Sequence, residues 1–343
     1  MRKPKLHNRI ARSVVTLPLC AMLAIGMWWL PQRAFSPDLI AGLVLTAFAT
    51  YVILETNNTY QVLRVRSRMM ASVWVFGAGC FITMHPFSPS LLAAFCLSVS
   101  IFLLFRTYQQ SQPTTDTFHV FLLLSLGSIV FPPVLLLAPF FLWYLLVFMR
   151  SLSFRSFLAA LVGLSLPFWF WTGWLLWDDD ITPLLSWWTD LLAYGHMGVL
   201  GMTNEIMKSG VVVFTGLVES ITVASLIDNA PFVLLAFLTL WTTFYYLTNS
   251  YDDKIRTRMM MYVYMMQSWI VLLFALLTFQ FAPLTPLLLL CCSPLVAHYF
   301  TLRNTWLALI VFVLTLVAFI IIFVNPLEIL DYFEYLCTLK ISK

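Results

Sequence analysis

The sequence predicts an all-α fold, a polytopic transmembrane helical bundle of about eleven spans, and three observations carry that expectation. Apolar blocks of 14 to 22 residues recur along the chain, which is 61% hydrophobic and only 10% charged. A soluble domain of 343 residues could not cover so much apolar surface, so the composition implies a bilayer as the surrounding medium. Almost every Lys and Arg falls in the short polar breaks between blocks, and no polar stretch is long enough to fold alone. Residues 1–343 therefore read as a single integral membrane domain.

Taken in order, the first block follows Arg2, Lys3, Lys5, Arg9 and Arg12, which gives the N-terminus the look of a secretory signal. Its apolar run ends in Met27, Trp28, Trp29, Leu30 and Pro31 and not in a small-residue cleavage site, so it reads as a retained helix over 14–31. Further spans follow at 37–54, 69–85 and 88–105. Residues 118–149 are too long for one crossing, and Pro132 and Pro133 remove two backbone donors at their middle, so a broken pair, 118–131 and 133–149, is expected. The remaining spans are 157–177, 231–249, 259–280, 283–299 and 305–325. At about 1.5 Å per residue, 17 to 22 residues reach roughly 26 to 33 Å, the thickness of a hydrocarbon core. Residues 211–226, apolar except for Glu219, read as re-entrant or interfacial, and the tail from Pro326 reads as an amphipathic surface helix.

Charge sets the orientation. The N-terminus and the breaks at 55–68, 106–117, 150–156, 250–258 and 300–304 fall on one side and hold all of the 19 Lys and Arg except Arg33, Lys208, Lys340 and Lys343. Cations resist translocation, so that side is expected to be cytoplasmic, with the N-terminus inside and the C-terminus outside. A net charge of +4, dispersed among loops, excludes a continuous nucleic-acid-binding stripe. Cys20, Cys80, Cys96, Cys291, Cys292 and Cys337 lack metal-ligand spacing and read as small packing residues. No metal site is expected, and no particular cofactor is indicated.

Two groups of residues stand out as candidate sites. On the outer side, loop 178–230 opens with Asp178, Asp179 and Asp180 after Trp169, Trp171, Trp174 and Trp177, and continues through Trp187, Trp188, His196 and Lys208. The tryptophans suit interfacial anchoring. The Asp triplet is either a solvated helix end or a carboxylate cluster able to hold a divalent ion with a phosphate, or to act as a base. On the inner side, Arg64, Arg66 and Arg68 precede a span; if that stretch is helical, Arg64 and Arg68 lie one turn apart and could grip one phosphate. Juxtamembrane arginines are also expected from anionic headgroups alone, at roughly 1 kcal/mol each. His85, His119 and His298 sit near span ends and read as hydrogen-bonded boundary histidines, and Gln267 reads as a bond between helices. The spans carry almost no charge, which disfavours ion-coupled transport.

The stretch Phe118 to Phe170, with Gly127, Pro132, Pro133, Pro139, Arg150, Arg155, Gly163 and Pro167, is similar to the middle of an uncharacterised family of bacterial inner-membrane proteins. The blocks Asn57 to Arg68 and Phe105 to Gln109 resemble that family too, so the likeness covers roughly the N-terminal half and implies a bacterial inner membrane but no activity. The rhythm of Gly-containing helix, proline break, Arg-ended helix and Gly/Pro helix also resembles polyprenyl-phosphate-dependent membrane glycosyltransferases. That second likeness implies a catalytic acid in the first external connection, where Asp38 is the only acid, with Asp178, Asp179 and Asp180 on metal or sugar. Arg33, His196 or Lys208 would then contact the lipid phosphate. Three functions stay open: a lipid-linked sugar transferase at the outer face, which ranks first because the external acidic loop needs a role and uncharged spans disfavour ion coupling, a lipid or lipid-phosphate transporter with an interhelical groove, and a noncatalytic scaffold. Membrane lipids, with a lipid-linked sugar among them, are the expected partners; no protein partner is indicated.

Overall fold

The computed structural model describes residues 6–31, 36–65, 67–196, 229–278 and 280–324. Among them every regular element is helical: α1 (Leu6–Arg12), α2 (Thr16–Trp29), α3 (Pro37–Tyr60), α4 (Met69–Cys80), α5 (Pro89–Arg106), α6 (Thr114–Val130), α7 (Ala138–Val147), α8 (Phe154–Trp177), α9 (Thr182–His196), α10 (Ala230–Asn249), α11 (Ile255–Thr278), α12 (Thr285–Leu302) and α13 (Trp306–Val324). Seven of these, α3, α5, α8, α10, α11, α12 with its leading 3-10 turn, and α13, are long and apolar enough to cross a bilayer; α1 and α2 make an eighth if the bent pair is one span. Three apolar pieces, Met69–Cys80, Thr114–Val130 and Pro132–Val147, are shorter. The chain is thus a multi-pass helical membrane protein.

Local chemistry explains where the helices begin. Ser36 and Ser88 each precede a proline at the first helical position, and each hydroxyl accepts the backbone N–H three residues on, from Leu39 and Leu91. Such a cap satisfies one of the orphan donors at a helix start, and proline has no N–H to lose there. α8 opens on a reciprocal Ser153/Ser156 capping box. Pro132 and Pro133 do break the 118–149 run, but a 3-10 turn over Pro132–Leu137 lies between α6 and α7. Two other expectations change. The basic N-terminal segment forms its own helix, α1, turned 89° from α2. The 69–85 span ends early, at Cys80; His85 then folds back and its Nε2 lies 2.9 Å from the Gly79 carbonyl, one of the unpaired acceptors at that helix end.

α12 occupies the centre. Every residue of its span window is buried, with α1, α4, α5, α10, α11 and α13 packed around it. Pro294 inside α12 cannot donate to Leu290, and the neighbouring Ser293 hydroxyl supplies that carbonyl with a bond of 3.0 Å. Small residues let other helices approach closely. A Cβ on Gly163 of α8 would stand 2.4 Å from the Phe118 carbonyl of α6, and beside it the Ser125 hydroxyl of α6 donates to the Leu164 carbonyl at 2.7 Å. In lipid, where tails compete for apolar contact, such close packing with interhelical hydrogen bonds holds helices together.

Candidate functional site

At the end of the bundle that holds Asp38 and the Asp triplet, the structure gives local roles to most of the expected residues. Asp38 lies in the first turn of α3, and its backbone carbonyl accepts the Phe87 N–H at 2.9 Å. Asp178 caps α8, Asp179 takes a left-handed conformation (φ 53°), and the Asp180 N–H returns to the Leu175 carbonyl at 3.2 Å. This is a Schellman-type helix end, a place where Asp is tolerated with positive φ. Asp180 then accepts the Thr182 hydroxyl and backbone N–H with one carboxylate oxygen at the start of α9, and these bonds hold its carboxyl below the ordinary value. All three carboxylates are exposed. Among the described residues no group of three or more His, Cys, Asp and Glu is arranged to hold a metal ion. Arg33, Arg66 and Lys208 lie outside the described residues, as do the 211–226 segment and the tail from residue 325; His196 is the last residue of α9.

The tryptophans divide into two kinds. Trp169, Trp174 and Trp177 face outward, Trp177 with 88% of its surface exposed, as anchoring requires. Trp187 is instead buried; its indole N–H donates to the Ser128 carbonyl at 2.8 Å, and Phe168, Trp171 and Trp188 pack against its ring. α9 is thereby pinned onto the end of α6.

The basic end is more ordered chemically. The N-terminal helix and the five cation-bearing breaks, far apart in sequence, meet there in two hydrogen-bonded groups that the ring contacts of Arg256 bring together. Ser67 donates to the Ala11 carbonyl, the Arg12 guanidinium to Thr301, Thr257 to Gln61, and the Gln109 N–H to Met149. Arg256 lies over the rings of Tyr60 and Tyr108, and Arg106 pairs with Asp116 at 3.4 Å. Residues 61–65, 67 and 68 are not helical, so Arg64 and Arg68 are not stacked one helical turn apart. Arg64 instead lines a cavity of about 280 Å³ with Tyr245, Asn249, Asp253, His298 and Arg303.

That cavity holds a pairing absent from the sequence expectations. His298 Nε2 and Asp253 Oδ2 are 2.8 Å apart, with side-chain exposures of 2% and 1%. His298 is therefore more than a boundary histidine. Asp253 Oδ1 and His298 Nδ1 are buried without hydrogen-bond partners. An unsatisfied buried polar atom costs about 1–3 kcal/mol, and more when charged, so both atoms are poised to accept a new partner. His85 and Gln267 keep the roles expected of them: His85 stacks on Trp28 at 4.3 Å, and Gln267 accepts the Tyr144 hydroxyl at 3.2 Å.

A second, larger recess is apolar. It measures about 570 Å³ and runs between α2 and α13 over a floor of α4 and α12, with Thr16, Cys20, Ser72, Phe76, Phe312 and Phe319 among its walls. Ile10 and Ser13 put its mouth beside α1, which buries His7, Asn8 and Ala11 and exposes Arg9 and Arg12. Among ligand sites, a concave apolar recess of some 300–1,000 Å³ with a few polar groups is the usual form. In comparisons with protein-family models, curated proteins and solved structures, nothing matches the chain.

Proposed function

We propose that this protein is a multi-pass inner-membrane protein that binds a phosphate-headed lipid, its chains in the α2–α13 groove and its headgroup at α1. The observation that carries the reading is an apolar groove whose lining reaches Ile10 and Ser13, one within and one just past the short helix α1 that exposes Arg9 and Arg12. Acyl or prenyl chains match the walls, and Arg9 and Arg12 supply charge for an anionic head at the depth where juxtamembrane cations meet lipid phosphates. Counting the bent α1–α2 pair and the three shorter apolar pieces as crossings gives eleven, with the N-terminus cytoplasmic and the C-terminus periplasmic.

Binding of this kind suits a carrier of lipids or lipid phosphates. The likeness to polyprenyl-phosphate-dependent glycosyltransferases keeps a lipid-linked sugar within the ligand class, with Asp38, Asp178, Asp179 and Asp180 as the carboxylates that would act on it at the far end. The groove supports the carrier reading over that one, since none of these four carboxylates lines it.

Native mass spectrometry of the full chain in nanodiscs tests the proposal, using phosphatidic acid against phosphatidylcholine. Phosphatidic acid should stay bound through delipidation in the parent protein, fall about tenfold in Cys20→Trp, which fills the groove, and lose its advantage in Arg9→Gln/Arg12→Gln. Equal retention of both lipids by the parent and by Cys20→Trp would overturn it.

A further inference from the structure

We propose that the cavity at the basic end is a second binding site, for a small phosphate ester that carries a hydroxyl or amine donor close to its phosphate. It stands on observations separate from the groove. Three breaks converge on it: Arg64 from 55–68, Asp253 from 250–258, and His298 with Arg303 from the end of α12 and the turn after it.

The chemistry of the two levels of the cavity differs, and the difference selects the ligand. Arg64 and Arg303 are exposed, and the ion pairs among the described residues are Arg106 with Asp116 and Asp253 with His298, so neither guanidinium is committed to a carboxylate there. Arg303 is steadied by the Tyr245 ring, 5.6 Å from its guanidinium carbon, and by the bond of 2.7 Å between its backbone carbonyl and His7 Nε2. A planar guanidinium offers paired donors that match phosphate oxygens. Asp253 is buried below, with one oxygen taken by His298 and the other unpartnered. A carboxylate can only accept, and it repels a bare phosphate. A ligand that gives Oδ1 a proton donor while its phosphate meets the arginines satisfies both levels at once. Glycerol phosphate has that form, either free in solution or as the headgroup of phosphatidylglycerol.

Titration calorimetry of the full chain in phosphatidylcholine nanodiscs reads the site, with sn-glycerol 3-phosphate and inorganic phosphate as probes. Nanodiscs containing phosphatidylglycerol form the second arm. Glycerol phosphate should bind saturably and more tightly than inorganic phosphate. Arg303→Gln should weaken it on the order of tenfold or more. Asp253→Asn should erase the preference for glycerol phosphate while leaving inorganic phosphate binding equal or stronger, since the repelling charge is gone. Loss of the soluble signal in phosphatidylglycerol discs assigns the site to a lipid headgroup; an undiminished signal assigns it to a soluble ester. Arg64 and Arg303 are exposed, so Arg64→Gln/Arg303→Gln tests the site even if Asp253→Asn does not fold. Absence of saturable binding by either probe, or unchanged affinity in that double variant, overturns the proposal. Cys20→Trp should leave glycerol phosphate binding intact, which separates failure of this site from failure of the groove.

Discussion

Asp180 shows how one carboxylate can be read in opposite ways from sequence and from structure. As part of Asp178 to Asp180 it invites a catalytic or metal-binding reading, yet in the fold it closes the α8–α9 turn by accepting two bonds from Thr182. The sign of its pH dependence follows. Its folded value is depressed, so its contribution to the turn is complete above the ordinary carboxylate value and is lost as pH falls through the lower, folded value. Carbon-detected NMR of labelled Asp should find Asp180 titrating below the ordinary carboxylate value, with Asp180→Asn removing the pH response of the turn; a value for Asp180 at or above the ordinary one would refute the role. His298 is the counterpart that sequence reading could not reach. Its partner Asp253 is 45 residues away, and no local spacing marks two residues that a helix hairpin brings together.

Among the elements, the crossing of α6 and α8 depends on a missing side chain. A Cβ at position 163 would meet the Phe118 carbonyl at 2.4 Å, and backbone cannot step aside as a flexible side chain can. Gly163→Ala should therefore destabilise the pair by about 1–3 kcal/mol, as overpacking does, measured by SDS-induced unfolding in mixed micelles. A change within ~0.3 kcal/mol would mean that the helices separate at no cost. Much at this scale was legible in advance. The apolar runs place starts at 37 and 88, within a residue of those of α3 and α5, and Pro132-Pro133 announces the break before α7. The turn between α1 and α2 was not, because a basic stretch leading into an apolar one is compatible with a straight helix. Nor was the central place of α12. Hydropathy reports how apolar a helix is, not whether its neighbours are lipids or other helices. Rank does not help either: fully buried α12 has mean hydropathy 1.5, and α8, most of whose residues are not buried, has 1.4.

For the whole molecule, the asymmetric placement of cations is matched by hydrogen-bonded groups at one end. Arg12 with Thr301, Thr257 with Gln61, and Arg155 with Gln112 join breaks that alternation along the chain assigns to one face. Single cysteines introduced at Arg258 and Arg155 should then be labelled by an impermeant maleimide only in inside-out vesicles, and one at Asp178 only in right-side-out vesicles. Labelling of Arg155→Cys and Asp178→Cys from the same side would reverse half of the arrangement and remove the lipid-phosphate reading with it.

The position of α12 bears on how the protein is made. Helices enter the bilayer in the order of synthesis, and α12, around which six others pack, is the last but one of the described helices to leave the ribosome. Until it arrives, the faces of α4 and α5 that later close upon it must meet lipid or other helices. Translation arrested before residue 285 should leave those faces without α12, open to membrane proteases where the finished chain hides them.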